Sequence, residues 1–174
     1  MKRIVLMVVA FSLLASPLVG RSLGYGVGFY GQSIIEEEAA SSSGVELSFV
    51  YQPWLLPVGN PSLIAKAVMG TDMTGKLVFP YVEFGLSVDL FRTIHHPFNL
   101  FANNVVAYDP AVSVSYHRDA EAPSQLLSIS VSPFKLSQKD FWYEFFVPSV
   151  SIDIQTGKVA SWGIALIRYT YIFK

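Results

Sequence analysis

Large apolar side chains alternate with Ser, Gly and an occasional acid along much of this chain. From Val78 to Leu90 the even positions are Val78, Pro80, Val82, Phe84, Leu86, Val88 and Leu90, while Glu83, Gly85, Ser87 and Asp89 stand between the later ones. Leu127, Ile129 and Val131 alternate with Ser128, Ser130 and Ser132, and Val150, Ile152 and Ile154 with Ser149, Ser151 and Asp153. Successive strand side chains point to opposite faces, so each stretch has one bulky apolar face and one small polar face. No long segment carries the three-and-four spacing of an amphipathic helix.

Segments of this kind number about eight. They begin with Leu23, Tyr25, Val27 and Phe29 set among glycines, followed by Val45–Gln52 and a weaker stretch over Leu63–Met69. A long one covers Lys76–Phe91; after a turn over Arg92–Pro97 come Val106–Tyr116, Leu126–Phe134, Phe141–Gln155 and Val159–Phe173. Gln155-Thr156-Gly157-Lys158 reads as a tight hairpin turn with Gly where φ is positive. Pro80, Pro110, Pro133 and Pro148 interrupt strand patterns and call for bulges. A further bulge near Ile164–Ile167 would place Trp162 and Ile164 on the same face as Tyr169, Tyr171 and Phe173.

The polarity of the two faces is unusual for a water-facing sheet. The positions expected to meet water carry Ser and Gly rather than Lys, Glu, Thr or Arg. Small residues suit a narrow lumen, and bulky apolar ones suit a wall facing hydrocarbon. Aromatics gather near strand ends at Tyr51 and Trp54, Phe98 and Phe101, Phe141 to Tyr143, and Tyr169 to Phe173, in the manner of interfacial girdles. The predicted fold is all-β: a closed antiparallel up-and-down transmembrane β-barrel of about eight strands.

Composition sharpens this picture. Of the 174 residues 52% are hydrophobic and 14% charged, against roughly 25% charged in soluble domains. The net charge of −1 gives no nucleic-acid footprint. Lys2 and Arg3 precede the apolar run Ile4–Phe11, too short to span a bilayer as a helix, so residues 1–22 read as a signal peptide cleaved near 20–22. Residues 23–174 then form the barrel domain. Cysteine is absent, which removes both a disulfide scaffold and a lipid-modified N-terminus.

With signal peptide, alternating strands, no Cys and an aromatic-rich C-terminus, the chain resembles the small eight-stranded outer-membrane proteins of the OmpA, OmpX and OmpW-like class. That resemblance implies an outer-membrane location, contact with outer-membrane lipids and recognition by the barrel-assembly machinery through a C-terminal aromatic. Here the aromatic, Phe173, is penultimate and Lys174 follows it.

The candidate chemistry lies on the polar faces. Glu46, Glu83, Asp89 and Asp153 are expected in the lumen, with Lys66 and Arg168 as counter-charges in an ion-pair network. Glu36, Glu37 and Glu38 lie in an acidic first surface loop. His95-His96 in a turn makes a poor metal pair, so neither metal nor cofactor is expected. Three functional readings follow: a monomeric, non-enzymatic outer-membrane barrel, structural or a narrow pore for small solutes; a soluble periplasmic barrel or sandwich binding a hydrophobic ligand; or an outer-membrane lipid hydrolase using Ser115 and His117.

Overall fold

The computed structural model describes residues 22–35, 41–53, 60–71, 74–78, 81–95, 106–119, 125–138 and 140–173. They form twelve strands: β1 (Ser22–Ile34), β2 (Ser41–Gln52), β3 (Pro61–Thr71), β4 (Leu77–Val78), β5 (Tyr81–Asp89), β6 (Thr93–His95), β7 (Val106–Tyr108), β8 (Ala111–Asp119), β9 (Gln125–Ser132), β10 (Phe134–Gln138), β11 (Phe141–Asp153) and β12 (Val159–Phe173). All pairings are antiparallel. β1, β2, β3, β5, β8, β9, β11 and β12 close on themselves as eight staves. β4 and β6 prolong the β5 stave, β7 that of β8 and β10 that of β9. The leader expected over residues 1–22 lies, Ser22 apart, outside the described residues.

Closure can be followed one residue at a time. Leu23 pairs with Tyr51, Tyr51 with Leu63, Leu63 with Leu86 and Leu86 with Val114. Val114 pairs with Ile129, Ile129 with Val150, Val150 with Trp162, and Trp162 with Ser33. One circuit thus returns to β1 ten residues further on, from Leu23 to Ser33. With eight staves that stagger fixes a strand tilt of about 40° at ordinary sheet spacings. The start of β1 and the end of β12 share one end of the barrel, its terminal end, since Leu23 pairs with Phe173.

The wall is inside-out relative to a water-soluble protein. Tyr25 is 56% exposed, Phe29 54%, Phe84 61% and Trp162 54%, all pointing outward. Glu46, Lys66, Glu83, Asp89, His117 and Lys135 are buried inside. An apolar cluster, Tyr30, Val68, Val147 and Ala165, and the further buried side chains Val50, Leu126 and Ile172 interrupt the polar interior. At the terminal end the outer face carries packed aromatic rings on three neighbouring staves. Tyr25 meets Tyr171 and Phe173, Phe141 meets Tyr169 and Tyr171, and Tyr143 meets Tyr169, with centroids 5.2–5.8 Å apart.

The mid-strand prolines mark a dislocation. Pro110 separates β7 from β8, and Pro133 separates β9 from β10. Where β9 turns Ser128, Ser130 and Ser132 inward, β10 turns Lys135 and Ser137 inward, so the parity changes at Pro133. The same change occurs on β12, where Ser161 and Ala165 face in, and beyond the bulge so do Arg168, Thr170 and Ile172. On β11 Phe146 adopts φ 51°, a left-handed conformation costing about 1 kcal/mol for a non-glycine residue. Phe134 pairs with Phe145 and Phe145 with Ile167, so the irregularities lie side by side on three staves. Each stave shows two successive outward residues there, which is how a bulge re-aims a strand. The anticipated bulge in the last strand is therefore present. Pro148, in contrast, stays in ladder opposite Ile164, and Pro80 lies outside the described residues.

One expected turn is a strand. Thr93–His95, inside the Arg92–Pro97 segment, forms β6 and pairs with β7. Beyond the dislocation the staves continue, and their backbone groups need partners there as elsewhere.

Candidate functional site

The site is the barrel interior, and its geometry starts from the glycines of β1. Gly28 lies in register between Glu46 on β2 and Arg168 on β12. A Cβ at Gly28 would stand 2.6 Å from Glu46 Oε1 and 2.8 Å from Arg168 Cγ. The bare backbone lets the two side chains reach across a whole stave. Arg168 Nε donates to Glu46 Oε1 and Nη2 to Oε2 at 3.2 Å, a bidentate pair. Gly26 does the same one layer lower, between Ser48 and Thr170.

The row through Gly28 continues as Arg168, Glu144 and Lys135 on successive staves. Glu144 Oε1 accepts from Ser132 Oγ at 2.5 Å, in register between two cations. Lys135 Nζ donates to Asp89 Oδ1 at 2.6 Å and stands 4.0 Å above the Trp142 ring. On the opposite wall Lys66 Nζ donates to Glu83 Oε1 at 2.9 Å, and the same oxygen accepts from Ser115 Oγ. Ser137 Oγ donates to Asp109 Oδ2, with Arg92 Nε 3.6 Å from Oδ1. Buried carboxylates in contact with cations and hydroxyls in this way avoid the cost of an isolated charge.

Of the residues expected in the lumen, Glu46, Lys66, Glu83, Asp89 and Arg168 all point inward and take part in ion pairs. Asp153 does not. Its Oδ1 accepts from the N–H groups of Gln155 at 2.7 Å and Thr156 at 2.8 Å, closing the turn between β11 and β12. These bonds, the Thr156 one foremost, hold its carboxyl below the usual range. Gly157 has φ 69°, as the turn requires. Glu36, Glu37 and Glu38, like Trp54, Phe98 and Phe101, lie outside the described residues.

Lys135, Glu144, Asp109 and Arg92 complete the network and were not anticipated. Counting alternate residues from Ser128–Ser132 puts Lys135 outside, and counting back from Ser149 and Ser151 does the same to Glu144. The parity change at Pro133 and Phe146 reverses both. A visible signal was the adjacency of bulky neighbours, Phe145-Phe146 and Leu166-Ile167, where strict alternation fails.

Ser115 and His117 share the inner face of β8 but not a mutual hydrogen bond in this arrangement. Ser115 Oγ donates to Glu83, and His117 Nδ1 lies 3.4 Å from Ser128 Oγ. Among the described residues no cluster of three or more His, Cys, Asp or Glu is placed to hold a metal ion.

A second inward row is almost free of charge. It runs from Ser22 to Gln52, whose amide donates to Ser62 Oγ at 3.2 Å, then through Ser87, Ser113, Ser130 and Ser149 to Gly163 and Gln32. It too makes one full circuit and climbs ten residues of β1, about 25 Å along the axis at the tilt given above. Two small voids adjoin it, of about 30 Å³ and about 20 Å³, and a cavity of about 440 Å³ lies at its Gln32 end.

Comparison with known proteins found no match: no family model, curated relative or solved structure is similar to the chain.

Proposed function

We propose that this protein is an integral outer-membrane β-barrel, non-enzymatic and monomeric, whose ion-paired interior braces the fold and admits at most very small solutes. The observation that carries this reading is the reversal of polarity across the wall. The apolar outer surface continues around all eight staves, whereas the largest apolar patch of a soluble monomer is typically about 300–600 Å². In hydrocarbon the same side chains need no protein partner, and the eight staves pair in a closed ring, with β4 and β6 the extensions that pair on one side among the described strands. The aromatic cluster at the terminal end suits the bilayer interface, where amphipathic rings gather. Outer-membrane lipids are the partners of the wall, and the barrel-assembly machinery that of the C-terminal strand.

A soluble barrel holding a hydrophobic ligand is less well supported. The voids among the buried charges and hydroxyls are far smaller than the roughly 300–1,000 Å³ of ordinary ligand pockets, and a cavity of that size, about 440 Å³, lies instead beside Gln32, Ser42 and Trp162 at the end of the barrel away from the ion pairs. The deciding experiment is gel mobility in SDS before and after boiling, on protein refolded into detergent micelles. A folded membrane barrel is expected to migrate differently until boiled and to need detergent throughout. A monodisperse, detergent-free protein would overturn the proposal.

A further inference from the structure

We propose that a recess in the outer wall, opposite the terminal end, binds the uncharged sugar headgroup of a glycolipid; this rests on the membrane-spanning reading above. The outward residues of β1 run Tyr25, Val27, Phe29, Gly31 and Ser33, so the wall loses its bulk at the last two. Its neighbours lose theirs beside it, because Gly31 pairs with Ser43, Ser43 with Thr71, and Ser33 with Ser41. On the other flank Gly31 pairs with Ile164 and Ser33 with the exposed Trp162. The result is open space. A Cβ at Gly31 would meet nothing within 4 Å, and the cavity of about 440 Å³ is lined by these residues. That volume is within the range of ordinary ligand pockets, roughly 300–1,000 Å³.

Height decides what can fill it. Along the strands Trp162 stands about 20–23 Å from Tyr171, and Gly31 and Ser33 about 15–20 Å from Tyr25, at the tilt given above. An apolar band about 25 Å tall, flanked by aromatic girdles, is the rule for membrane barrels. The Tyr25 and Tyr171 cluster and Trp162 therefore mark its two borders, and the recess lies just inside the second.

Ser43 and Thr71 are exposed there, and Ser33 and Ser41 half-exposed. An acyl chain filling the recess would leave these hydroxyls without partners, which is costly in hydrocarbon. Sugar hydroxyls, which donate and accept alike, match them. A sugar ring also lays its flat C–H face on an indole, and Trp162 supplies one at the interface. Among the described residues no Lys, Arg, Asp or Glu lines the cavity, so a phosphate or ammonium headgroup finds no counter-charge. Because the recess opens on the outer face within the band, its occupant arrives through the lipid leaflet.

The test uses the full chain expressed in cells and the barrel purified from their membranes in an amine-oxide detergent, which carries no sugar. The barrel is mixed with equal amounts of digalactosyl diacylglycerol, phosphatidylcholine and phosphatidylglycerol, and native mass spectrometry counts the lipid retained. Wild type is expected to retain the galactolipid several-fold over either phospholipid. Gly31→Leu fills the recess and should bring galactolipid retention down to the phospholipid level, with the boiling-dependent gel shift kept. Should that variant not fold, Ser43→Leu fills it from the next stave with the same expected loss. Trp162→Ala removes the stacking face and should lower galactolipid retention alone. Equal retention of the three lipids overturns the inference, as does preference for a phospholipid or a galactolipid preference that survives filling of the recess. Displacement of the galactolipid by free melibiose, a soluble galactose disaccharide, overturns the lipid-borne source. Each of these outcomes leaves the membrane reading standing where the gel shift is present. A wild type lacking the gel shift defeats that reading and this inference together.

Discussion

Gly28 and Gly31 stand three residues apart on β1 and should respond in opposite directions to the same substitution. Alanine is ordinarily favoured over glycine within a strand by about 0.5–1 kcal/mol, because the unfolded chain loses freedom. At Gly31 nothing lies within 4 Å of the new Cβ, so that gain is expected nearly in full. At Gly28 the new carbon meets Glu46 Oε1 at 2.6 Å and Arg168 Cγ at 2.8 Å, and the bidentate pair must part or tilt. Disrupting a buried pair costs about 3–5 kcal/mol, several times the glycine gain. Gly28→Ala should therefore lower stability to unfolding in urea by a few kcal/mol, and Gly31→Ala should raise it slightly. Equal effects at the two sites would mean that Glu46 and Arg168 do not meet across β1.

At the level of elements, the hairpin between β11 and β12 is closed by two backbone bonds between Asp153, Gly157 and Lys158 and by one side chain. Asp153 accepts two backbone N–H groups only as a carboxylate, and those bonds depress its pKa. A group whose folded pKa is depressed stabilises above its unfolded value, 3.8, and loses that contribution as pH falls through the folded one. The amides of Gln155 and Thr156 should accordingly stay protected from hydrogen exchange at neutral pH and lose protection only below about pH 4. In Asp153→Ala they should exchange fast at every pH; protection that persists in this variant would assign the turn to its backbone bonds and Gly157. The hairpin itself was legible in the sequence, since Gly157 marks a positive φ, but Asp153 was placed in the lumen by strict alternation. Alternation locates all eight staves, and it identifies Glu46, Lys66 and Glu83 as inward because no bulge separates them from their strands' apolar residues. It fails beyond Pro133 and Phe146, where two successive residues face outward and every later position changes side. Lys135 and Glu144 were lost to that slip, because parity is a running count that one extra residue resets.

For the molecule as a whole the question is which solvent the outer face meets, and Phe84 can decide it. It lies mid-strand on β5, is 61% exposed, and sits among outward Val82, Leu86 and Tyr116. In water Phe84→Arg would remove an exposed ring, disturb no packed neighbour and improve solubility; surface substitutions of that kind usually fall within about 0.5 kcal/mol. In a bilayer the same guanidinium would be forced toward hydrocarbon at a cost of about 2–4 kcal/mol near the midplane. Buried positions cannot separate the cases, because the interior is the same in both. The measurement is urea unfolding of wild type and Phe84→Arg in lipid vesicles, followed by the mobility difference between folded and boiled chains. A destabilisation of about 2–4 kcal/mol places the wall in lipid. An indifferent Phe84→Arg, with wild type and variant unfolding together, would return the apolar wall to water and require a protein partner to cover it.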